Sequence, residues 1–277
     1  MRRGTEMIAF IAVMSVMAGA RAETPPLRVC AATDNFPFSD RQGSGFENKL
    51  AKLVAEKLGT SVDYTWWPAR ENFIDKTLKK GDCDVLMGVP ADFDQVETTR
   101  AYYRSSYVFV SRKDAHLDVR SLKDPRLEKL EIGVYLLGSD QTPPALVLAK
   151  EGLNDRVRGF MTFYDGRGST HTPGLIQALD RREIDVAAVW GPLVGYYAHE
   201  AGARLTVTPI VDGEDFPPLV FRYDIAMGVR KGDHQLRAKL DKVIDANGRA
   251  IRHLLAGYGV PLLPIGTDRS AATTTGD

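Results

Sequence analysis

Hydrophobic and polar positions in the N-terminal half of the chain predict short strands that alternate with helices. Leu27–Ala31 and Asp84–Gly88 are largely apolar runs, and Val62–Trp66 alternates between apolar and polar residues, which predicts three strands. Between them, Phe46–Leu58 carries apolar residues at helical spacing, and Phe73–Lys80 predicts a second helix. This β-α-β-α-β order with short links predicts a parallel sheet with helices on both faces.

The later part of the chain repeats the same alternation. Leu130–Val134, Ile184–Val189 and Tyr223–Val229 predict further strands. A long last helix is predicted to begin after Asp233, which serves as its N-cap, and to end at Gly257. The fold class is therefore predicted to be α/β, with one pattern in both halves and no sequence repeat of fixed period.

Two terminal segments are predicted to lie outside the folded part. After a basic start, an apolar run from Met7 to Met17 and the small-x-small sequence Ala20-Arg21-Ala22 fit a cleaved signal peptide over residues 1–22. The apolar run is shorter than the roughly 20 residues that a membrane span needs. The tail 266–277 is small and polar, which predicts disorder. The mature chain is expected in the periplasm without a membrane span.

Charge and residue chemistry narrow the function. The 36 Lys and Arg residues balance 36 Asp and Glu residues, which argues against nucleic acid or an anionic membrane as the main partner. Glu47, in the first turn of the first predicted helix, suits the helix dipole. Asp92, Asp94 and Glu97 lack a calcium-loop pattern, and the His residues lack zinc spacing, so no metal site is predicted. No nucleophile has a base at a recognised spacing, so no enzyme is predicted.

The chain has two cysteines, and a disulfide between them is feasible. Cys30 lies in the first predicted strand, and Cys83 leads into the third. These strands would be neighbours in a doubly wound sheet, and an isolated pair in an oxidising compartment can bridge. Two buried thiols are the alternative, because a register mismatch would separate the Cα atoms beyond disulfide reach.

Short motifs give the chain a resemblance to the type II periplasmic solute-binding proteins of the amino-acid-binding class. They are Leu27-Arg28-Val29, Pro37-Phe38-Ser39, Gly45-Phe46-Glu47, Gly81-Asp82-Cys83-Asp84-Val85 and Tyr102-Tyr103-Arg104-Ser105. The resemblance implies two doubly wound α/β lobes joined by two crossover strands, with hinge closure around a ligand between them. It implies lobe 1 over residues 27–110 and 223–265, and lobe 2 over 111–222.

A longer set of motifs resembles, more specifically, the J proteins of bacterial methanol dehydrogenase clusters (MxaJ/XoxJ). The set consists of Val29-Cys30-Ala31, Pro37-Phe38-Ser39, Gly45–Lys49, Tyr64–Pro68, Cys83–Pro90 and Arg100–Val110. This resemblance implies a periplasmic partner of a pyrroloquinoline-quinone (PQQ) methanol dehydrogenase and its cytochrome c, with a role in activating or maturing the enzyme. The Trp66-Trp67-Pro68 stretch looks more like the version that accompanies lanthanide-dependent dehydrogenases.

The residues expected to hold an amino acid are replaced. The resemblance implies an Arg for the ligand carboxylate after the third strand, and an Asp for the amine at the end of Ile184–Val189. Here Asp92 and Trp190 stand at these places. Each lost charge-assisted bond is worth roughly 1.5–3 kcal/mol. An ordinary amino acid is therefore not the expected ligand, unless Arg100 or Arg104 takes the carboxylate role.

The ligand or partner cleft is expected to be aromatic, with core or hinge packing as the alternative for any single ring. The candidate residues, most of them near predicted strand ends, are Asn35, Phe36, Phe38, Trp66, Trp67, Arg70, Pro90, Asp92, Phe93, Arg100, Tyr102, Tyr103, Arg104, Ser139 and Trp190. Trp66 and Trp67 are adjacent and cannot both face one core, so one is a candidate for the cleft mouth or a protein interface.

The sequence leaves more than one hypothesis open for the cofactor and for the function. No permanently bound cofactor is expected, and a planar anion such as PQQ in transient contact would suit the aromatic residues with Arg70, Arg100 and Arg104. The first hypothesis is the accessory protein of the methanol dehydrogenase. The second is a substrate-binding protein of an ABC transporter for a small polar or aromatic solute. A small periplasmic enzyme is the third, for which no acid/base pair is visible.

Overall fold

The computed structural model describes residues 24–69, 72–137, 140–161, 174–200 and 202–265. The predicted signal peptide, the predicted tail, Arg70 and Ser139 lie outside these residues. In the part of the chain that is described, no helix is both long enough and apolar enough to cross a bilayer.

Strands and helices alternate along the described residues. The strands are β1 Leu27–Ala32, β2 Asp34–Asn35, β3 Ser39–Asp40, β4 Val62–Trp67, β5 Val85–Pro90, β6 Glu97–Thr98, β7 Tyr103–Arg112, β8 Ile132–Leu137, β9 Asp140–Gln141, β10 Val157–Met161, β11 Val186–Trp190, β12 Leu205–Pro209 and β13 Arg222–Val229. The α-helices are α1 Phe46–Lys57, α2 Phe73–Lys76, α3 Pro143–Lys150, α4 Gly174–Asp180, α5 Gly191–Glu200 and α6 His234–Gly257. Short 3₁₀ segments are Lys113–Ala115, Pro125–Lys129, Asn154–Arg156, Gly202–Arg204 and Gly213–Asp215.

One mixed sheet runs through both lobes in the order β10-β8-β11-β7-β13-β5-β1-β4. In the first lobe β1 is parallel to β4 and to β5, and in the second β8 is parallel to β10 and to β11. Between the lobes, β7 and β13 pair antiparallel from Tyr103–Ile225 to Ser106–Arg222. The predicted α/β fold of two lobes joined by two crossover strands is confirmed.

Each lobe has its own core, and β7 passes from one core to the other. Phe46 and Met227 are buried in the first lobe, and Ile132 is buried in the second. Along β7, Tyr103 packs in the first core, whereas Tyr107 packs in the second. The pairing of β7 with β13 ends at Ser106, and from Tyr107 onward β7 pairs with β11 and β12.

Several local elements differ from the prediction. Helix α2 ends at Lys76 rather than Lys80, because Thr77 has non-helical φ −126° and ψ −81°. Strand β12 was not predicted, and it forms because β7 offers it an antiparallel partner. Helix α6 follows the prediction closely: the Asp233 side chain accepts a hydrogen bond from the Leu236 N–H at 3.1 Å, and the helix ends at Gly257.

Cys30 and Cys83 form a disulfide, with their Cα atoms 5.4 Å apart. Cys30 lies within β1, and Cys83 precedes β5, which is hydrogen-bonded to β1 in parallel. Both cysteines pack among buried residues that include Leu78 and Leu86. The bridge therefore joins two neighbouring strands inside the first lobe.

Candidate functional site

A cleft of about 600 Å³ lies where the lobes and the crossover strands meet. The first lobe contributes residues of β1, α1 and β5, together with Phe38 between β2 and β3 and Phe93 in the loop after β5. The second lobe contributes Tyr135, Thr142 and Leu193. Pockets for small molecules have volumes of about 300–1,000 Å³, so this cleft has the size of a ligand site.

Part of the predicted residue set comes together in this cleft. The predicted residues that line it are Asn35, Phe38, Pro90, Phe93, Tyr103 and Trp190. They come from both lobes and from β7, although they are far apart in the sequence. The carboxyl ends of the parallel strands in both lobes thus face the same cleft, as expected for an open α/β fold.

Other predicted aromatic residues do not line the cleft. Phe36 packs edge-on against Tyr196 of α5, with ring centroids 4.7 Å apart, and so contacts the opposite lobe. Tyr102 is buried in the first core, where its hydroxyl donates a hydrogen bond to the Met87 carbonyl oxygen at 2.6 Å. These two rings serve packing rather than the cleft wall.

The two adjacent tryptophans lie on β4, the strand at the outer edge of the first lobe. Trp66 packs on Tyr64 with ring centroids 4.8 Å apart, and Arg41 lies over the Trp66 ring. Trp67 alternates to the other face and is 40% exposed. Neither residue is among those that line the cleft, and both lie on the edge strand of the first lobe.

The predicted arginines are also placed away from the cleft. The exposed Arg100 pairs with Asp245 of α6 at 3.2 Å. Arg104 lies 3.7 Å from Asp224 and lines a separate pocket of about 320 Å³. Both arginines therefore face acidic partners outside the cleft, and a carboxylate-binding role for either of them stays a prediction from the sequence.

Asp92 is exposed in the loop after β5 and does not line the cleft. Its charge nevertheless influences a cleft residue. The pKa of Tyr223 is raised mainly by burial and, to a smaller extent, by the negative charge of Asp92. Asp92 therefore contributes negative potential close to the cleft. This is the opposite of the positive charge that an amino-acid carboxylate would need.

Three rings form one aromatic corner in the cleft. Trp190 stands at the end of β11, with Tyr107 and Tyr223 of the crossover strands on either side. Its ring centroid lies 5.5 Å from that of each tyrosine, and the planes meet at 62° and 80°. Edge-to-face packing of this kind fixes the rings, and all three residues line the cleft.

Glu47 is the one charged side chain among the described residues that line the cleft, and the sequence did not single it out as a site residue. It lies in the first turn of α1, opposite Gly88 of β5. A Cβ atom at position 88 would lie 2.4 Å from the Glu47 Oε1 atom, so a larger residue there would make the Glu47 side chain shift. Enclosure by protein raises the pKa of Glu47 to about 8.

A second polar group in the cleft lacks a partner. The Tyr135 hydroxyl is buried without a hydrogen-bond partner in the described structure, and burial raises the pKa of Tyr135. Thr142 hydrogen-bonds to the backbone oxygen of Tyr135 rather than to this hydroxyl. Buried hydroxyls are usually paired, so this one offers a hydrogen bond to a ligand.

The lining is otherwise apolar, and this decides which groups it can hold. No basic side chain of the described residues lines the cleft. Among the described residues, the lining therefore offers no positive partner to the carboxylates of a planar anion such as PQQ, and Arg70, predicted to contact it, lies outside these residues. Among the same residues, no group of three or more His, Cys, Asp or Glu side chains is arranged to hold a metal ion.

Comparisons with known proteins agree with this architecture. The family model of bacterial extracellular solute-binding proteins, family 3, matches residues 27–250. Protein MoxJ of Methylorubrum extorquens strain AM1 is 32% identical over 257 residues, which cover 89% of this chain and 84% of that protein. Protein MoxJ of Paracoccus denitrificans is 29% identical over 261 residues, 91% of this chain and 95% of that protein.

A solved structure is similar over the same extent. The crystal structure of the periplasmic binding protein XoxJ from Methylobacterium extorquens AM1 has a TM-score of 0.70 and 32% identity to this chain. The similarity covers 86% of this chain and 100% of that one. It therefore includes both lobes.

Proposed function

Because this chain belongs to family 3 of the bacterial extracellular solute-binding proteins, and within it to the MxaJ/XoxJ-like periplasmic binding proteins, we propose that it is an accessory protein of a PQQ-dependent methanol dehydrogenase. It binds the dehydrogenase in the periplasm and aids its activation or maturation. The main support is that the similarity to MoxJ spans both lobes and not one shared domain. The cytochrome c of the system is a second expected partner.

The cleft supports this proposal by what its lining lacks. A free amino acid brings a carboxylate, and the described lining has no basic side chain to receive it. This favours a role other than binding the usual amino-acid ligands of the fold. We assign the contact to the dehydrogenase protein rather than to its cofactor, because no described residue of the lining offers PQQ a positive partner.

The proposal predicts direct association with the dehydrogenase of the same organism. Biolayer interferometry with the apo and cofactor-loaded enzyme should give micromolar or tighter binding. An amino-acid-binding protein of family 3 serves as the matched control and should not bind. Dehydrogenase from a strain that lacks this chain should show reduced activity, and the purified chain should restore it. Full activity without the chain, together with no association at micromolar concentrations, would contradict the proposal.

A second function is supported by the cleft volume. A concave, largely aromatic site of about 600 Å³ suits the substrate-binding protein of an ABC transporter for a small polar or aromatic solute. Neighbouring genes for a permease and an ATPase would favour this function. Genes for a quinoprotein dehydrogenase and a cytochrome c would favour the accessory role.

A further inference from the structure

The cleft combines features that suit one class of small molecule. Glu47 supplies a carboxyl group, while Trp190, Tyr107 and Tyr223 supply aromatic rings in the same lining. We propose that the cleft binds an organic cation, an ammonium group on an apolar body, whose charge Glu47 neutralises and whose surface the aromatic corner covers. This proposal is independent of dehydrogenase binding, which is measured separately.

The surroundings of Glu47 leave its charge to be met by a ligand. The titratable groups that interact with it are the hydroxyls of Tyr102 and Tyr103, which are neutral because burial raises the pKa of both. From β5, the residue that faces it is Gly88. No charged group of the described helices and strands shifts the pKa of Glu47, which is raised by burial. An enclosed carboxylate without a partner is unfavourable, so a cation in the cleft would gain a strong interaction.

The aromatic corner suits a cation for a separate reason. The face of an aromatic ring carries negative potential, and a cation within about 6 Å of the ring centroid is attracted to it. Trp190 gives the strongest such attraction of the aromatic side chains. Asp92 near Tyr223 adds negative potential, and no described basic residue in the lining opposes it. None of these groups would attract an anion.

The volume and the lining specify the rest of the ligand. The cleft is too large to be filled by a bare ammonium ion, and most of its wall is apolar or aromatic. An apolar body on the ammonium group would bury this wall and gain from the hydrophobic effect. The free hydroxyl of Tyr135 can accept or donate one further hydrogen bond.

Isothermal titration calorimetry with three matched probes tests the proposal on the full mature chain. The probes are benzyltrimethylammonium, benzyl alcohol and benzoate, which are cationic, neutral and anionic. The cation should bind more tightly than the alcohol, and benzoate should not bind. Because the charge of the cation is permanent, only the protein titrates. Its affinity should rise about tenfold per pH unit between pH 6 and 7 and level off above about pH 8, where Glu47 is ionised.

Two variants on one helix identify the residue responsible. Glu47→Gln should weaken binding of the cation by about 10- to 100-fold and remove the pH dependence. Glu56→Gln, on the exposed side of α1, is the control and should leave the affinity for the cation and its pH dependence unchanged. If Glu47→Gln does not fold, the affinities of the wild type for the cation and the alcohol, measured against pH, test the proposal instead. Equal affinity for cation and alcohol, cation affinity independent of pH, or no binding of the cation would overturn the proposal.

Discussion

At the scale of the residue, the protonation of Glu47 is coupled to folding. The carboxyl group is enclosed in the folded protein, where its pKa is about 8. In the unfolded chain a glutamate has a pKa of about 4.3. The folded state therefore binds more protons than the unfolded state between these two values, and stability must depend on pH in this range.

The direction of this dependence is a prediction. The stabilising contribution is complete below about pH 4 and is lost as pH rises towards 8, with a slope of up to about 1.4 kcal/mol per pH unit. Urea unfolding of the wild type and of Glu47→Gln between pH 5 and 8 measures it. The variant should lack the slope, and Glu56→Gln should retain it. Parallel curves for wild type and Glu47→Gln would show that the carboxyl group is solvated.

The sequence identified Trp190 as a cleft candidate but not Glu47, for a physical reason. Trp190 follows a strand, and strand ends in this fold are local signals for a ligand site. Glu47 looks like an ordinary acidic residue of a first helical turn. It lies against Gly88 of β5, which is distant in the sequence and meets it only in the folded lobe. The position of the arginines could not be read from the sequence, because a positive charge does not show which acidic partner holds it.

At the scale of the element, the disulfide holds β1 and the start of β5 together. The two cysteines are separated by 53 positions in the chain. The closed loop contains α1, β4 and α2, so a large share of the first lobe is constrained in the unfolded state. Cys30 also lines the cleft, which places the bridge directly behind the ligand wall.

Removal of the bridge should destabilise the protein. A loop of 53 residues corresponds to about 4 kcal/mol of unfolding free energy lost in the double variant Cys30→Ala and Cys83→Ala. Urea unfolding measures the change, with reduced wild-type protein as the control that keeps both side chains. An unfolding midpoint equal to that of the oxidised wild type would show that the bridge does not contribute.

Elements with strong local signals were predicted well. Helix α6 has an N-cap residue and a long apolar face, and both ends follow from the sequence. Strand β12 has no comparable local signal, because Leu205–Pro209 is short and contains two threonines. It forms a strand because β7 pairs with it. Helix α2 was overestimated because its last residues form turns next to the disulfide.

At the scale of the whole molecule, the lobes meet at a second place beside the crossover strands. Gly195 of α5 and Gly259, just after α6, approach so closely that a Cβ atom on Gly195 would lie 2.3 Å from the Gly259 oxygen. Tyr196 packs there on Phe36 and on Tyr258 of the other lobe, with ring centroids 4.7 and 5.7 Å away. The resemblance implied the two lobes, whereas this contact depends on the folded arrangement of distant glycines.

A side chain at this contact should push the lobes apart. Gly195→Ala would clash with backbone atoms, which cannot turn aside, so we expect a loss of about 1–3 kcal/mol in unfolding free energy. Small-angle X-ray scattering should show an increased radius of gyration. Gly248→Ala, within α6, is the control: its Cβ would meet only the end of the Arg252 side chain at 3.5 Å. Equal scattering for both variants would contradict a rigid contact.

The position of β13 also determines the order in which the molecule can be completed as it is synthesised. This strand lies between β7 and β5, yet it follows the whole second lobe in the chain. Strands β8 to β12 emerge from the ribosome as one continuous stretch, so the second lobe can complete its sheet first. The first lobe must wait with the edge of β5 open until β13 and α6 have been made. A chain cut before Arg222 would therefore lose the first lobe, although most residues of that lobe precede the cut.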